Sequence, residues 1–187
     1  MKPKQIKIDS KSRLTGKLAS LSDVDAISSL NKKWLKKGDM KIDKKAGFLF
    51  GDALSKEDLK TIIENRELIV SYDQNTLAGY YLLDNYSKTT ILSEHKKYIA
   101  SCVAHGLISK NSKISKRMQC VVDEEYQMQG LSKLMFNELL KNTSSKYDLL
   151  FATVSKHNPK YAAHLRSGWE IIDEIDEVYL LTYRVTG

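Results

Sequence analysis

The sequence predicts an α/β (α+β) fold: a mixed, largely antiparallel central sheet flanked by helices. Three observations predict it. Segments with helical spacing of apolar residues alternate in mixed order with strand-like runs along the chain. Two such runs, 67–72 and 77–83, flank Asp73-Gln74-Asn75-Thr76, which is a hairpin pattern. A strand around 115–122 passes through a glycine turn into a helix over 130–141, and then into the run 147–154, which reads as a strand buried on both faces.

The elements follow in order. Residues 1–13 are polar and basic and read as a flexible arm or edge strand; 14–187 reads as one domain. Residues 14–20 suit a first strand. Ser22 with Asp25 reads as an acidic capping box opening a helix whose apolar stripe is Val24, Ile27, Leu30 and Trp34, stopped by Gly38. Residues 38–54 are irregular. Ser55 with Asp58 opens a second helix carrying Leu59, Ile62 and Ile63. Beyond the hairpin, Ile91, His95, Tyr98, Ile99, Cys102 and Val103 recur at helical spacing, with Gly106 as a stop. Asn158-Pro159 reads as the start of a last helix, Asn as N-cap and Pro in the first turn, closed by Ser167-Gly168. Strands over 170–175 and 178–185 complete the chain.

With 187 residues, 42% hydrophobic and 28% charged, the chain can bury one sizeable core. Two cysteines make no disulfide framework. Met1 to Lys7 has no apolar leader, and no run is long enough for a bilayer, so the expectation is a cytoplasmic protein without a membrane partner. Thirty Lys plus Arg against 23 Asp plus Glu give +7, which favours an anionic ligand: a phosphorylated cofactor, a nucleic acid or an acidic surface. Lysines crowd 32–45 and 110–117, but only Trp34 interleaves the first cluster, which speaks against stacking on nucleic-acid bases. Cys102 and His105 have no second pair at zinc-like spacing, so no metal is expected.

The most informative residues are Gln127-Met128-Gln129-Gly130-Leu131-Ser132. A turn opening a helix directly after a strand exposes unpaired N–H groups at the positive end of the helix dipole, an anion site. Gly130 lets backbone approach an anion closely. The expectation is a phosphate-bearing cofactor held by main-chain amides.

Residues 118–140 resemble the acetyl-CoA motif of the GNAT superfamily of N-acetyltransferases, whose signature is Arg/Gln-x-x-Gly-x-Gly/Ala; Gln127-x-x-Gly130-x-Ser132 stands here. The next strand, Asn158 and Gly168-Trp169 are similar to the family's second motif. The segment near 91–107 looks like an insertion. The resemblance implies acetyl-CoA as co-substrate and an amine acceptor, a small molecule or peptide. It implies that the backbone of Gln127, Met128, Gln129, Gly130, Leu131 and Ser132 wraps the diphosphate. Cys120, Val121 and Val122 would pair with the pantetheine arm, and Asn158 would bond it.

The family's frequent acid is a Tyr four residues before the closing Gly; here that place holds His164, with Tyr161 a turn away. These two are the candidate catalytic residues. His164 could protonate a departing thiolate only as imidazolium, which a carboxylate neighbour would favour. An oxyanion donor is expected on the motif strand near Val121. Asp123, Glu124, Glu125 and water are open as bases. Trp34, Phe48 and Phe50 are candidate walls for the acceptor. A non-catalytic acyl-CoA-binding module and a basic nucleic-acid-binding protein stand as alternatives, and the oligomeric state is open, a homodimer included.

Overall fold

The computed structural model describes residues 14–35, 47–84 and 93–185. The arm at 1–13, Gly38, Ile91 and Lys36 to Lys45 of the first lysine cluster lie outside them. Seven strands and five helices are described: β1 Gly16–Leu18, α1 Val24–Trp34, α2 Lys56–Glu64, β2 Leu68–Asp73, β3 Thr76–Asp84, α3 Ser93–Ala104, β4 Arg117–Val122, α4 Leu131–Thr143, β5 Leu149–Ser155, α5 Tyr161–Arg166, β6 Glu170–Ile175 and β7 Val178–Arg184.

The strands form two antiparallel sheets, β1-β2-β3-β4 and β5-β7-β6. One face of the first sheet packs on α1 and α2 through Ile27, Leu59, Ile62, Leu68, Val70, Tyr80 and Leu82. On the other face α4 brings Leu131, Met135, Phe136 and Leu139 onto Ile69, Ala78, Tyr81 and Leu83 of the first sheet and Leu150, Ala152 and Leu181 of the second. Cys102 of α3 packs with Leu149, Phe151 and Leu180 on the opposite face of the second sheet. Alternate residues of β5 therefore serve two cores, which is why its run is continuously apolar. Each fully buried Leu, Ile or Phe here contributes about 1.5–3 kcal/mol.

Several boundaries differ from the sequence reading. The helix entrance lies two residues earlier than Ser22–Asp25: the Ser20 N–H donates to Asp23 Oδ2 at 2.7 Å, and a short 3-10 turn, Leu21–Asp23, precedes α1. Asp23 also accepts from the Tyr72 hydroxyl at 2.8 Å, a tertiary bond that fixes the carboxylate there. The helix ends at Trp34, because Leu35 is already extended and bridges Leu49 in parallel. The Ser55 cap stands as read, accepting from the Asp58 N–H at 3.0 Å. The last helix begins at Tyr161 behind Lys160, so Asn158 is not its N-cap. Its Oδ1 accepts from the Lys160 N–H at 2.9 Å, a local Asx turn that holds the chain in a bend before the helix.

Where the two sheets meet, β4 and β5 run side by side only at one end. Asp148 and Leu149 N–H donate to the Lys113 carbonyl at 2.8 and 3.2 Å, Ser115 N–H donates to the Leu149 carbonyl at 3.0 Å, and Ile114 bridges Leu149. Beyond this closed end the edges separate, because among the described residues β4 has no ladder partner but β3 and β5 none but β7. Two strand edges thus face one another across a wedge.

Candidate functional site

The wedge is a cleft of about 450 Å³. It passes from the α4 face of the sheets, where Gly130, Ser132, Lys133, Arg166 and Ser167 line it, to the α1 face, where Trp34, Phe48, Leu49, Phe50 and Gln119 line it. Its middle is walled by Met118, Cys120, Val121, Val122, Thr153, Val154 and Trp169.

At the α4 mouth the chain bends through two left-handed residues, Met128 (φ 63°) and Gly130 (φ 78°). Met128 is 93% exposed, so no burial favours its conformation. Left-handed residues in a tight turn draw successive N–H groups toward one side, an anion-binding concavity. The first bond of α4 runs from the Leu134 N–H to the Gly130 carbonyl at 3.1 Å. The N–H groups of Leu131, Ser132 and Lys133 precede it and have no intrahelical acceptor. A Cβ on Gly130 would meet nothing within 4 Å, so the space over the turn is open. Gln127 steadies the turn by donating its amide to the Val122 carbonyl at 3.2 Å. Gln129 turns its amide to the Glu125 carbonyl at 3.0 Å, and its side chain is not part of the cleft lining.

The register of β4 decides which of its amides reach the cleft. Asp123 N–H donates to the Ala78 carbonyl, directly opposite, at 2.9 Å, in the same register as Val121↔Tyr80 and Val122↔Gly79. Antiparallel alternation then commits the Val121 amide to β3 and turns the N–H and C=O of Cys120 and Val122 outward. The outward amides nearest the oxyanion donor expected near Val121 are therefore those of Cys120 and Val122. The Cys120 thiol is pushed up to about 12 by burial, so it is neutral and inert.

Asn158 lies at the cleft with both ends of its amide engaged: besides its turn bond, its Nδ2 donates to the Phe48 carbonyl at 2.8 Å. The Leu49 N–H donates to the Trp34 carbonyl at 2.8 Å. Residues 47–50 therefore cross the wedge as a strap fastened to α1 on one side and to the turn after β5 on the other. Gly47 makes the crossing possible, since a Cβ there would stand 2.7 Å from Lys160 Cγ and 3.1 Å from Asn158 Oδ1.

Of the candidate catalytic pair, His164 lines the cleft, its ring edge-on to Trp169 at 6.2 Å. Burial lowers its pKa to about 4. No carboxylate stands beside it among the described residues, so at neutral pH roughly one ring in a thousand is imidazolium. The expected imidazolium acid is not supported. Tyr161 is not part of the cleft lining; its ring packs against Tyr179 at 5.4 Å. Asp123 and Glu124 pair with Lys33 at 2.6 and 3.3 Å, and neither they nor Glu125 line the cleft. Among the described residues the cleft has three permanent cations, Lys133, Lys160 and Arg166, and no carboxylate.

Sequence reasoning missed Lys133, Arg166, Lys160 and Gln119. Lys133 was legible as the third residue of a helix whose first turn is expected to hold an anion; the others are brought in by tertiary packing alone.

No protein-family model matches the chain, and no curated protein matches it. Solved structures do match in fold. A GNAT superfamily phosphinothricin acetyltransferase from Sinorhizobium meliloti in complex with acetyl-CoA superposes with a TM-score of 0.62 at 13% identity, covering 92% of this chain and 88% of that one. A GNAT-family acetyltransferase from Listeria monocytogenes gives 0.60 at 17% identity, covering 91% and 94%. An N-acetyltransferase from Thermoplasma acidophilum in complex with coenzyme A gives 0.58 at 13%, covering 91% and 98%. The split antiparallel sheet, the helix-opening turn and the cleft between β4 and β5 accordingly make up the fold of the GNAT acetyltransferases.

Proposed function

We propose that the chain is an N-acetyltransferase that moves an acetyl group from acetyl-CoA to an amine. The observation that carries the reading is the Met128–Gly130 turn, with open space above it and the unpaired N–H groups of α4 at its side, set at one mouth of a cleft through the sheet. That donor set fits a diphosphate. The N–H groups of 128–133 would hold it, and Lys133 and Arg166 would add charge. The outward edge of β4 at Cys120 and Val122 would pair with the amide-bearing arm, and Asn158 stands where that arm would pass. Two structural neighbours of the same fold are described as complexes with acetyl-CoA and with coenzyme A, which supports the co-substrate.

When bound, acetyl-CoA supplies a thioester whose carbonyl carbon gains a bond to the amine nitrogen and loses its bond to sulfur. The chain's part is placement and charge stabilisation. An outward N–H of Cys120 or Val122 would receive the charge developing on the carbonyl oxygen, and the strand edges would hold the thioester in place. With no carboxylate in the described lining, the amine enters as its free base; the proton its nitrogen sheds on forming the amide goes to solvent, and the departing thiolate leaves as coenzyme A and takes up a proton from solvent. His164, neutral, would pack against the arm and accept hydrogen bonds rather than act as an acid, while Tyr161 is structural.

A second reading has a specific observation in its favour: of the candidate acids His164 lines the cleft uncharged and Tyr161 is not part of its lining, as suits a module that binds acyl-CoA without turning it over. Calorimetry with acetyl-CoA followed by thiol release across a panel of amines tests both. Binding with release supports the enzyme, binding without release supports the module, and no binding removes both. Residence in the cytoplasm accords with the reduced cysteines and with the absence, among the described residues, of a helix long and apolar enough to cross a membrane.

A further inference from the structure

Gln119 is a buried amide whose orientation is dictated from a distance. The chain of constraint starts at the Leu54 N–H, which can only donate, and which donates to Asn31 Oδ1 at 3.3 Å. Asn31 must then present its Nδ2 on the other side, where it donates to the Tyr80 hydroxyl at 2.8 Å and to Gln119 at 3.1 Å. The Gln119 atom that receives this bond is therefore the oxygen, and the Tyr80 hydroxyl donates to the same oxygen at 3.1 Å. With Oε1 engaged twice inside the protein, Nε2 is what Gln119 offers the cleft that it lines. Gln119 is 6% exposed, and the side-chain hydrogen bonds it makes among the described residues both end on Oε1. An amide nitrogen held in a fixed orientation and open toward a cleft is a preorganised donor for an acceptor that enters there.

The surroundings say what that is. Gln119 lines the α1 mouth of the cleft together with the strap. Trp34, Phe48 and Phe50 supply an apolar wall there, and Lys160, its stem packed against Gly47, lines the cleft with no carboxylate paired to it among the described residues. A cleft with donors and a cation but no carboxylate in its described lining is built against a second ammonium group and for an anionic oxygen.

Resting on the acetyltransferase reading, we propose that the acceptor is an amine that also carries a carboxylate, an amino acid with an apolar side chain, and that Gln119 Nε2 receives that carboxylate with Lys160 adding charge. Gln119 is in this assignment the residue that selects the acceptor.

The test compares phenylalanine with phenethylamine, which differ by the carboxylate alone, at mildly alkaline pH. The wild-type protein should favour phenylalanine by about tenfold or more in kcat/KM, as one charge-assisted hydrogen bond warrants. Gln119→Glu keeps an oxygen for Asn31 and Tyr80 but replaces the open donor by an acceptor; it should abolish or reverse the preference, chiefly through KM, with acetyl-CoA affinity by calorimetry unchanged. Lys160→Met, on the surface of the turn, should weaken the same preference several-fold and keeps the test available if Gln119→Glu does not fold. A protein that binds acetyl-CoA but uses both amines equally, or peptide amines lacking the carboxylate better, overturns this assignment alone. A protein with no affinity for acetyl-CoA overturns the acetyltransferase reading and this assignment with it.

Discussion

Asn158 donates its side-chain amide to the backbone carbonyl of Phe48, 110 residues earlier, at 2.8 Å, and so ties the turn after β5 to the strap over the cleft. The same side chain closes its own turn on Lys160. Asn158→Ala removes both bonds and should cost about 1–3 kcal/mol of stability in urea unfolding. Gly47→Ala disturbs the same strap but keeps the Asn158 amide in the chain, acting through the left-handed φ of 78° and close contacts with Lys160 Cγ and Asn158 Oδ1. If Asn158 also bonds the pantetheine arm, Asn158→Ala should weaken acetyl-CoA binding roughly tenfold more than Gly47→Ala does. Equal losses would show that Asn158 serves the strap alone.

Gly130 separates backbone cost from ligand cost. Its φ of 78° penalises any side chain by about 1–2 kcal/mol, and no protein atom stands in the way of a Cβ. Gly130→Ala should therefore lower stability by about that much. Gly130→Val should lower it only somewhat further, yet weaken acetyl-CoA binding by another tenfold or more, because branched methyls would intrude where the diphosphate approaches. Calorimetry of the two folded variants checks the difference, and equal affinities would remove the diphosphate from this turn.

Much of this was legible in the sequence where local rules decide. The Ser55 cap, the hairpin, the stop at Gly168 and the turn at Gly130 depend on residues within a few positions of one another. The cap at Ser20 was missed because Tyr72 helps to hold Asp23, a partner that no local pattern reveals. Asn158 had the residue type for an N-cap and for a cofactor ligand, but its second bond goes to a strap whose path only the fold determines. Gln119 gave no signal at all: an isolated glutamine in a strand has no periodicity, and its amide is oriented by Asn31, 88 residues away. Tyr161 and His164 were both placed on a helix, but which side of a six-residue helix faces a cleft depends on how it docks.

Lys133 and Arg166 make the cleft mouth proposed for the diphosphate electropositive from α4 and α5. Both are exposed, so each contributes modestly: Lys133→Ala and Arg166→Ala should each weaken acetyl-CoA binding by about fivefold, and the pair should act nearly additively. Raising salt should weaken binding to the wild-type protein and have less effect on the double variant, since screening acts on the charge the variant lacks. Calorimetry across a salt series reads both. A salt slope unchanged in the double variant would place the anion elsewhere.

His164 gives the fold a defined sensitivity to acid. Its pKa falls from an ordinary 6.5 to about 4 because burial disfavours the imidazolium. Between those values the unfolded chain binds a proton that the folded chain does not, so stability rises with pH across this window. The contribution is complete above pH 6.5 and is lost as pH falls toward 4, at most about 3 kcal/mol in all. His164→Gln cannot take up that proton, so its unfolding free energy should decline less between those two pH values than the wild type's, by up to the same amount, while other acid-labile groups act equally on both. Urea unfolding of the two proteins through the window checks it. The same shift leaves no imidazolium to donate at neutral pH, so thiol release by the variant should fall by less than the roughly hundredfold that loss of a general acid brings. Parallel stability curves, or a hundredfold loss of release with acetyl-CoA still bound, would return His164 to the charged form and to the acid's place.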